Sequence, residues 1–232
     1  MSSHGRKKLT IVLLEASLEL VPPNLQKHSV ILRTARCHGI RPSEVLLDKS
    51  IHYRAMRGLE KSWKRGRPDI VHTSLLILLD SMLNAKGLLS IYLHTIEDKV
   101  YEVSSETRIP RSYERFKGLM AQLLRHDKVP PDSPNPLIKL AYRSLNDFTR
   151  QHGKLILLSE RGKPANTTSV IREALTKSRP IGIGMFPHGD FENYVIQNSS
   201  STYSLAGGLS LKAWSIVCRI VCSAENMLGL TY

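Results

Sequence analysis

Three short apolar runs constrain the fold of this chain more than any other feature of its sequence. They lie at residues 9–14 in LTIVLLEA, 155–158 in KLILLSE and 180–186 in PIGIGMF. A continuous apolar run rich in branched residues is typical of a strand covered on both faces, as in parallel sheets. Between the last two runs, residues 168–176 have the polar start and apolar spacing of a crossover helix. The sequence therefore predicts an α/β fold, with a mostly parallel sheet that contains a βαβ unit.

A different pattern occupies residues 63–129. Pro68 suits the first position of a helix and Asp69 its first turn, so RPDIVHTSLLILLDSMLN is predicted to be helical. Residues 90–95 and 100–104 flank the charged connector at 96–99, which predicts a β-hairpin. We therefore expect a hairpin and helix region inserted into the α/β fold.

Two further helices are predicted. The first begins near Ser112, which can cap it, and ends at Pro130 and Pro131 within the loop-like stretch KVPPDSPNP, residues 128–136. The second lies within residues 209–228 and must bury an apolar stripe. That stripe consists of Trp214, Val217, Ile220, Val221, Ala224 and Leu228.

The charge of the chain indicates a polyanionic partner. Lys and Arg number 33 against 20 Asp and Glu, a formal net charge of +13, which favours nucleic acid. No apolar run approaches the roughly 20 residues that span a bilayer, and residues 1–8 are polar and basic with no signal-peptide core after them. We therefore expect a cytoplasmic protein that does not enter the membrane.

The three cysteines predict neither disulfides nor a metal site. Their odd number argues against a disulfide framework. Cys218 and Cys222 are one helical turn apart, but no second Cys or His pair completes a zinc spacing. We expect buried thiols and no metal.

Two basic clusters are candidates for RNA contact. The first is Arg108, Arg111 and Arg115 in TRIPRSYERF, where guanidinium forks match phosphate oxygens and stack on unpaired bases. The alternative is a solvated helix face, but the charge of the whole chain favours RNA contact. The second cluster comes immediately before Pro68 and consists of Lys61, Lys64, Arg65 and Arg67. Asp69 is spaced to hold Arg67 by a charge-assisted hydrogen bond, or is only a favourable charge at a helix start.

Small-residue turns follow the predicted strands. Gly182, Gly184 and Gly189 lie in IGIGMFPHGDF, and residues 202–208, TYSLAGG, come directly before the C-terminal helix. Such turns let backbone amides approach a ligand closely, although each is also compatible with an ordinary connection. With the turn at residues 158–160, they should meet at the carboxyl ends of neighbouring strands, where open α/β sheets bind ligands. This position makes them a candidate cofactor site.

Five segments in the same order resemble one known family. They are RPDIVHTSLLILLDSMLN, IYLHT, TRIPRSYERFKGLMAQLL, GMFPHGDF and YSLAGG. Together they resemble the ribosome-biogenesis methyltransferases that act on N1 of pseudouridine in archaea and eukaryotes. The resemblance covers most of the chain.

The resemblance implies the SPOUT class of methyltransferase, in which the C-terminal chain forms a trefoil knot. It implies one SPOUT-like domain over residues 1–232, an RNA-binding extension at 61–136 and a knotted cofactor region at 154–232. S-adenosylmethionine would be the cofactor, and its binding residues would be Leu158, Gly184, Gly189, Thr202, Tyr203, Ser204, Leu205, Ala206 and Gly207.

The same resemblance implies a homodimer that binds small-subunit ribosomal RNA, with preribosomal proteins as further partners. Arg67, Arg108, Arg111 and Arg115 would contact RNA. Asp69 would be the catalytic residue, orienting Arg67 or touching the target base. A eukaryotic member would be nucleolar rather than cytoplasmic.

The chain differs from the family at one motif, and two other functions are compatible with its sequence. The family commonly reads Asp-Ser-Pro-Leu-Asn where this chain has Asp80-Ser81-Met82-Leu83-Asn84, so a local turn should differ. The first alternative is a nonenzymatic assembly factor that uses the same basic surface to fold ribosomal RNA. The second is a ribose or guanine methyltransferase of the same fold class.

Overall fold

The computed structural model describes residues 8–230, so the basic start predicted at residues 1–8 lies largely outside the described residues. Eight strands form one sheet in the order β4-β5-β3-β2-β1-β7-β6-β8. They are β1 (Leu9–Ala16), β2 (Leu89–Thr95), β3 (Val100–Val103), β4 (Lys128–Val129), β5 (Ile138–Tyr142), β6 (Leu155–Pro164), β7 (Ile181–Gly184) and β8 (Ser199–Ser204). Four neighbouring pairs are parallel: β2-β1, β1-β7, β7-β6 and β6-β8. At the other end of the sheet, the pairs β2-β3, β3-β5 and β5-β4 are antiparallel.

Nine α-helices lie within the described residues. They are α1 (Ser29–His38), α2 (Lys49–His52), α3 (Pro68–Leu79), α4 (Met82–Ala85), α5 (Tyr113–His126), α6 (Leu145–His152), α7 (Thr167–Lys177), α8 (Asn193–Gln197) and α9 (Ala213–Met227). Apolar residues of α3, α5, α7 and α9 share one core with the sheet, and those of α6 and α8 share a second. The sheet therefore has helices on both faces.

The buried strands and the βαβ unit are confirmed. In β1, Ile11 and Leu13 belong to one core while Val12 and Leu14 belong to the other, which explains why the run shows no polar alternation. β6, α7 and β7 follow one another, and β6 pairs parallel with β7. The hairpin of β2 and β3 is also confirmed.

Several predicted boundaries are wrong. The helix from Pro68 ends at Leu79, and Ser81 caps the separate α4 by accepting from the Asn84 N–H. α5 begins after Ser112 without a side-chain cap and ends before the prolines, because Asp127 adopts a left-handed φ of 54°. Residues 128 and 129, expected to be loop, pair with β5.

Three other expectations are corrected. Residues 202–204 complete β8, so the small-residue loop is only 205–208, and α9 begins five residues later. The thiols of Cys37, Cys218 and Cys222 are free but exposed, because α9 turns its Val217 and Ile220 face to the core instead. Residues 21–59, for which no structure was predicted, have a small core of their own.

No helix within residues 8–230 has the length and apolar character needed to cross a membrane. Among the same residues, no three His, Cys, Asp or Glu side chains come together as a metal site requires. The knot and the proposed limits of the extension stay predictions.

Candidate active site

A cleft opens where β7, β6 and β8 end side by side, as the positions of the three small-residue turns predict. Seven of the nine predicted cofactor residues line it: Leu158, Gly184, Gly189, Tyr203, Ser204, Leu205 and Ala206. Thr202 is not among the lining residues, because it lies within β8 opposite Leu157. Gly207 is not among them either and occupies the turn beyond the wall with a φ of 59°.

The turn after β8 offers the cleft unused backbone donors. Within the described residues, the N–H groups of Leu205 and Ala206 donate to no protein acceptor, and both residues line the cleft. The Ser204 hydroxyl accepts from the Gly208 N–H at 3.0 Å, which fixes the turn between them. This wall is suited to a ligand that carries hydrogen-bond acceptors.

Glycine lets the loop after β7 fold back over the strand end. A Cβ at Gly184 would lie 3.0 Å from ring atoms of both Phe186 and Phe191. These two rings pack edge to face with centroids 5.2 Å apart, and both line the cleft. The β7 loop therefore provides an apolar wall opposite the polar turn of β8.

The second half of β6 wraps around β8, a feature that sequence reasoning missed. Tyr203 is paired with Leu158 and again with Lys163, so residues 159–162 bulge past it. A Cβ at Gly162 would lie only 2.4 Å from the Tyr203 carbonyl carbon. The two backbones approach this closely only because position 162 has no side chain.

An ion pair crosses the cleft rim. Arg161 from the β6 bulge lies 2.8 Å from the Asp190 carboxylate in the β7 loop. Both side chains are well exposed, so the pair contributes little stability. It nevertheless links two of the three segments that form the cleft.

The predicted pair of Arg67 and Asp69 is present beside this cleft. Arg67 Nε and Nη2 each donate to a different Asp69 carboxylate oxygen at 2.7 Å. The hydrogen bond to Asp69 raises the pKa of Arg67 above its ordinary value. The Arg67 N–H donates to Ser17 Oγ at 2.9 Å, and the Ser17 N–H donates to the Met185 carbonyl at 3.1 Å. The pair is thereby joined to the end of β7.

In the first basic cluster, the residues between the arginines anchor the segment to the protein. Ile109 is buried, and His72 on α3 lies 2.7 Å from the Pro110 carbonyl, to which an imidazole N–H donates. Arg108, Arg111 and Arg115 are exposed, and none has an ion-pair partner within the described residues. Their charges are free for an anionic ligand.

Tyr113 is a support for this surface rather than part of it. Its hydroxyl donates to the buried Asp48 carboxylate at 3.1 Å, and burial raises the pKa of Tyr113. Lys117 also donates to Asp48, at 3.1 Å. The start of α5 is thereby tied to residues 21–59.

Comparison with known proteins gives the family. The model of the EMG1/NEP1 methyltransferase family matches residues 11–225. The chain belongs to the EMG1/NEP1 methyltransferase family. It is 46% identical to the ribosomal RNA small subunit methyltransferase Nep1 of Aeropyrum pernix over 219 residues, 94% of this chain and 98% of that protein. The corresponding Nep1 of Staphylothermus marinus is 43% identical over 227 residues, 97% of this chain and 98% of that one.

A solved structure of this family is similar over nearly the whole chain. The crystal structure of Archaeoglobus fulgidus Nep1 bound to S-adenosylhomocysteine has a TM-score of 0.85 and 35% sequence identity. The match covers 96% of this chain and 99% of that one. The family resemblance and the mostly parallel α/β fold are confirmed.

In this EMG1/NEP1 methyltransferase, the expectation that the whole second basic cluster is free for RNA is wrong, because Lys61, Lys64 and Arg65 are each paired with a carboxylate. Lys64 Nζ donates to the Glu15 carboxylate at 2.6 Å and to the Glu192 carboxylate at 3.3 Å. The other Glu15 oxygen accepts from the Glu192 N–H at 2.7 Å. The hydrogen bond from Lys61 lowers the pKa of Glu192, so this carboxylate stays ionised. The cluster ties the 61–67 segment to β1 and to the β7 loop.

Proposed function

We propose that this chain is an S-adenosylmethionine-dependent methyltransferase that modifies N1 of a pseudouridine in small-subunit ribosomal RNA. One observation carries the proposal: the Arg67 backbone N–H is hydrogen bonded to Ser17, and Ser17 to Met185, which lies between Gly184 and Phe186 of the cleft wall. The named relatives are ribosomal RNA small subunit methyltransferases, and the Archaeoglobus protein binds S-adenosylhomocysteine.

The cleft residues fit this cofactor. Free N–H groups of Leu205 and Ala206 suit the polar edge of its adenine or its carboxylate, while Phe186 and Phe191 provide an apolar surface. The cofactor residues we assign are Leu158, Gly184, Gly189, Thr202, Tyr203, Ser204, Leu205, Ala206 and Gly207. Thr202, within β8, and Gly207, within the turn after it, act by shaping the backbone that bears the lining residues.

The arginines hold the RNA. Arg67, Arg108, Arg111 and Arg115 bind phosphates, and the target base leaves its stack, because chemistry on a base needs access to it. The net charge of +13 supports a polyanionic substrate.

Asp69 is the catalytic residue that we assign. S-adenosylmethionine would supply a methyl group activated by its sulfonium and leave as S-adenosylhomocysteine, and the proton displaced from N1 of pseudouridine would be released to solvent. Asp69 fixes the Arg67 fork and hydrogen bonds to the target base. Alignment of the two reactants and exclusion of water supply most of the acceleration, up to about 7–11 kcal/mol, so a strong general base is unnecessary.

We also propose that two copies associate through the knotted region. Val217, Ile220 and Val221 of α9 are buried within the chain, but Trp214 and Ile216 stay partly exposed and Leu209 is 72% exposed. Leu209 and Ile216 line the cleft, and we propose that a second copy covers these apolar side chains and Trp214. Preribosomal proteins as partners, and a cytoplasmic or nucleolar location, stay predictions.

Methyl uptake by a short RNA hairpin tests the function. With labelled S-adenosylmethionine, we expect label in a hairpin that carries pseudouridine and none in the same hairpin with uridine. Equal uptake by both would indicate a ribose or other base target. The alternative function, a nonenzymatic assembly factor, predicts RNA binding without any calorimetric binding of S-adenosylmethionine.

A further inference from the structure

Trp63 is a large aromatic side chain left at the surface. It is 52% exposed and belongs to none of the apolar clusters of the described residues. No aromatic ring or cation stacks on it, and its indole N–H has no acceptor within residues 8–230. An exposed indole with a free face is typical of a binding position rather than of a core.

The Trp63 ring lies next to Gly189 in the loop after β7. A Cβ built on Gly189 would lie 3.2 Å from Trp63 Nε1 and 3.4 Å from its Cδ1. Gly189 has a φ of 97° and also lines the cleft. The pyrrole edge of the indole therefore lies beside Gly189 of the β7 loop.

The backbone around Trp63 is fixed by its neighbour. Lys64 is buried, bound to Glu15 and Glu192, and its Nζ lies 4.4 Å from the centre of the Phe186 ring. The Lys64 N–H donates to the Lys61 carbonyl at 2.9 Å, which closes a turn around Trp63. The ring is therefore presented by a rigid segment, so binding to it costs little conformational entropy.

Trp63 and Arg67 belong to one short segment that is anchored to the β7 loop. Arg67 follows four residues later, and it reaches Met185 through Ser17, while Trp63 contacts Gly189 in the same loop. In our proposal RNA is held at Arg67, so an unpaired neighbour of the target nucleotide can reach the same loop. Trp63 is the exposed aromatic side chain that borders it.

We infer that Trp63 is a stacking platform for an unpaired RNA base adjacent to the target nucleotide. The inference rests on the proposed function for the RNA but not on the cofactor, because Trp63 is not among the residues that line the cleft. The ligand is an unpaired nucleobase. Stacking on an aromatic ring tolerates different bases, so Trp63 contributes affinity and position rather than sequence selection.

Tryptophan fluorescence tests this directly, because the chain has only two tryptophans. In a Trp214→Phe variant, Trp63 is the single emitter. We expect the pseudouridine hairpin to quench its emission and a fully paired duplex of equal length not to do so. Unchanged emission at saturating hairpin would overturn the inference.

Affinity measurements on two substitutions complete the test. Trp63→Ala should raise the Kd for the hairpin about tenfold, and Trp63→Phe should restore most of the affinity. The Kd for S-adenosylhomocysteine should stay within about twofold of the unsubstituted chain. If Trp63→Ala weakened both ligands equally, or shifted the chain from dimer to monomer, the ring would support the loop or a subunit contact instead.

These outcomes separate the inference from the proposed function. If the unsubstituted chain methylates the hairpin and Trp63→Ala does so with unchanged affinity, only the platform is wrong. If the hairpin quenches Trp63 but no cofactor binds, the methyltransferase proposal fails while the platform stands.

Discussion

Arg67 and Asp69 meet fork to fork, with two parallel hydrogen bonds of 2.7 Å between the guanidinium and the carboxylate. Two of the five guanidinium N–H groups are thereby used, and the rest are available to RNA. The side chains of Arg67 and Asp69 are 34% and 40% exposed, so the pair adds little to folding stability. The two hydrogen bonds instead hold the Arg67 guanidinium in one orientation.

Replacing Asp69 tests that role. In Asp69→Asn the amide no longer matches the guanidinium fork, so Arg67 loses its fixed orientation. We expect methyl uptake by the hairpin to fall at least about tenfold with little change in Tm, since an exposed pair is worth about 0–1 kcal/mol. Asp147→Asn, which breaks the exposed pair with Arg150, is the matched control and should leave uptake unchanged. Full turnover and full RNA affinity in Asp69→Asn would exclude Asp69 from catalysis.

The free arginines should determine how RNA binding responds to salt. Each phosphate contact releases counterions, so Arg111→Gln should lower the slope of log Kd against log salt by roughly 0.7–0.9. Arg172→Gln on α7 removes another exposed, unpaired charge and should leave the slope unchanged. Equal slopes for the unsubstituted chain and both variants would show that RNA does not contact Arg111.

The close approach of β6 and β8 predicts a steric cost at Gly162. An added methyl group would meet backbone atoms of Tyr203, which cannot move aside as a flexible side chain can. We expect Gly162→Ala to lower the free energy of unfolding by about 1–3 kcal/mol or more in urea titrations. Gly118→Ala, in α5 with open space around it, should raise stability by about 0.5–1 kcal/mol. An unchanged Gly162→Ala protein would contradict the close crossing.

Burial of His52 predicts a loss of stability in mild acid. Desolvation lowers the pKa of His52 to about 4. Its Nδ1 accepts from the Asp48 N–H, so protonation of Nδ1 would place two N–H donors face to face. Between pH 6.5 and 4 the unfolded chain binds a proton that the folded chain does not. The free energy of unfolding should therefore fall as pH drops through this window, by up to about 3 kcal/mol. His52→Asn should flatten the dependence, and an identical slope would show that other groups cause it.

Met82 marks the departure from the family motif. It is the first residue of α4, where proline is favoured, and Ser81 before it is already extended with φ −78° and ψ 153°. Met82→Pro should raise the free energy of unfolding by about 0.4–1 kcal/mol, because the unfolded chain loses freedom. Met82→Ala is the control and should have a smaller effect. A lower Tm for the proline variant would show that the turn is built differently here.

Local patterns predicted much of this molecule. The β1 run and the two-residue spacing of Arg67 and Asp69 are visible in sequence, because both depend on near neighbours. Residues 21–59 were missed because their core draws on scattered residues such as Val21 and Met56, with no sustained period. The bond between Glu15 and Lys64 was missed because 49 residues separate them. Residues this far apart in the sequence become neighbours only through the tertiary fold, which local patterns do not show.

The central claim is that the strand-end cleft beside Arg67 and Asp69 binds the methyl donor. Crystals of this chain grown with S-adenosylhomocysteine test it most directly. We expect density for the ligand between Phe186 and the turn at Leu205 and Ala206, with its sulfur facing the side on which Asp69 lies. Ligand density at a different site, with this cleft empty and the arginines remote from the ligand, would contradict the account.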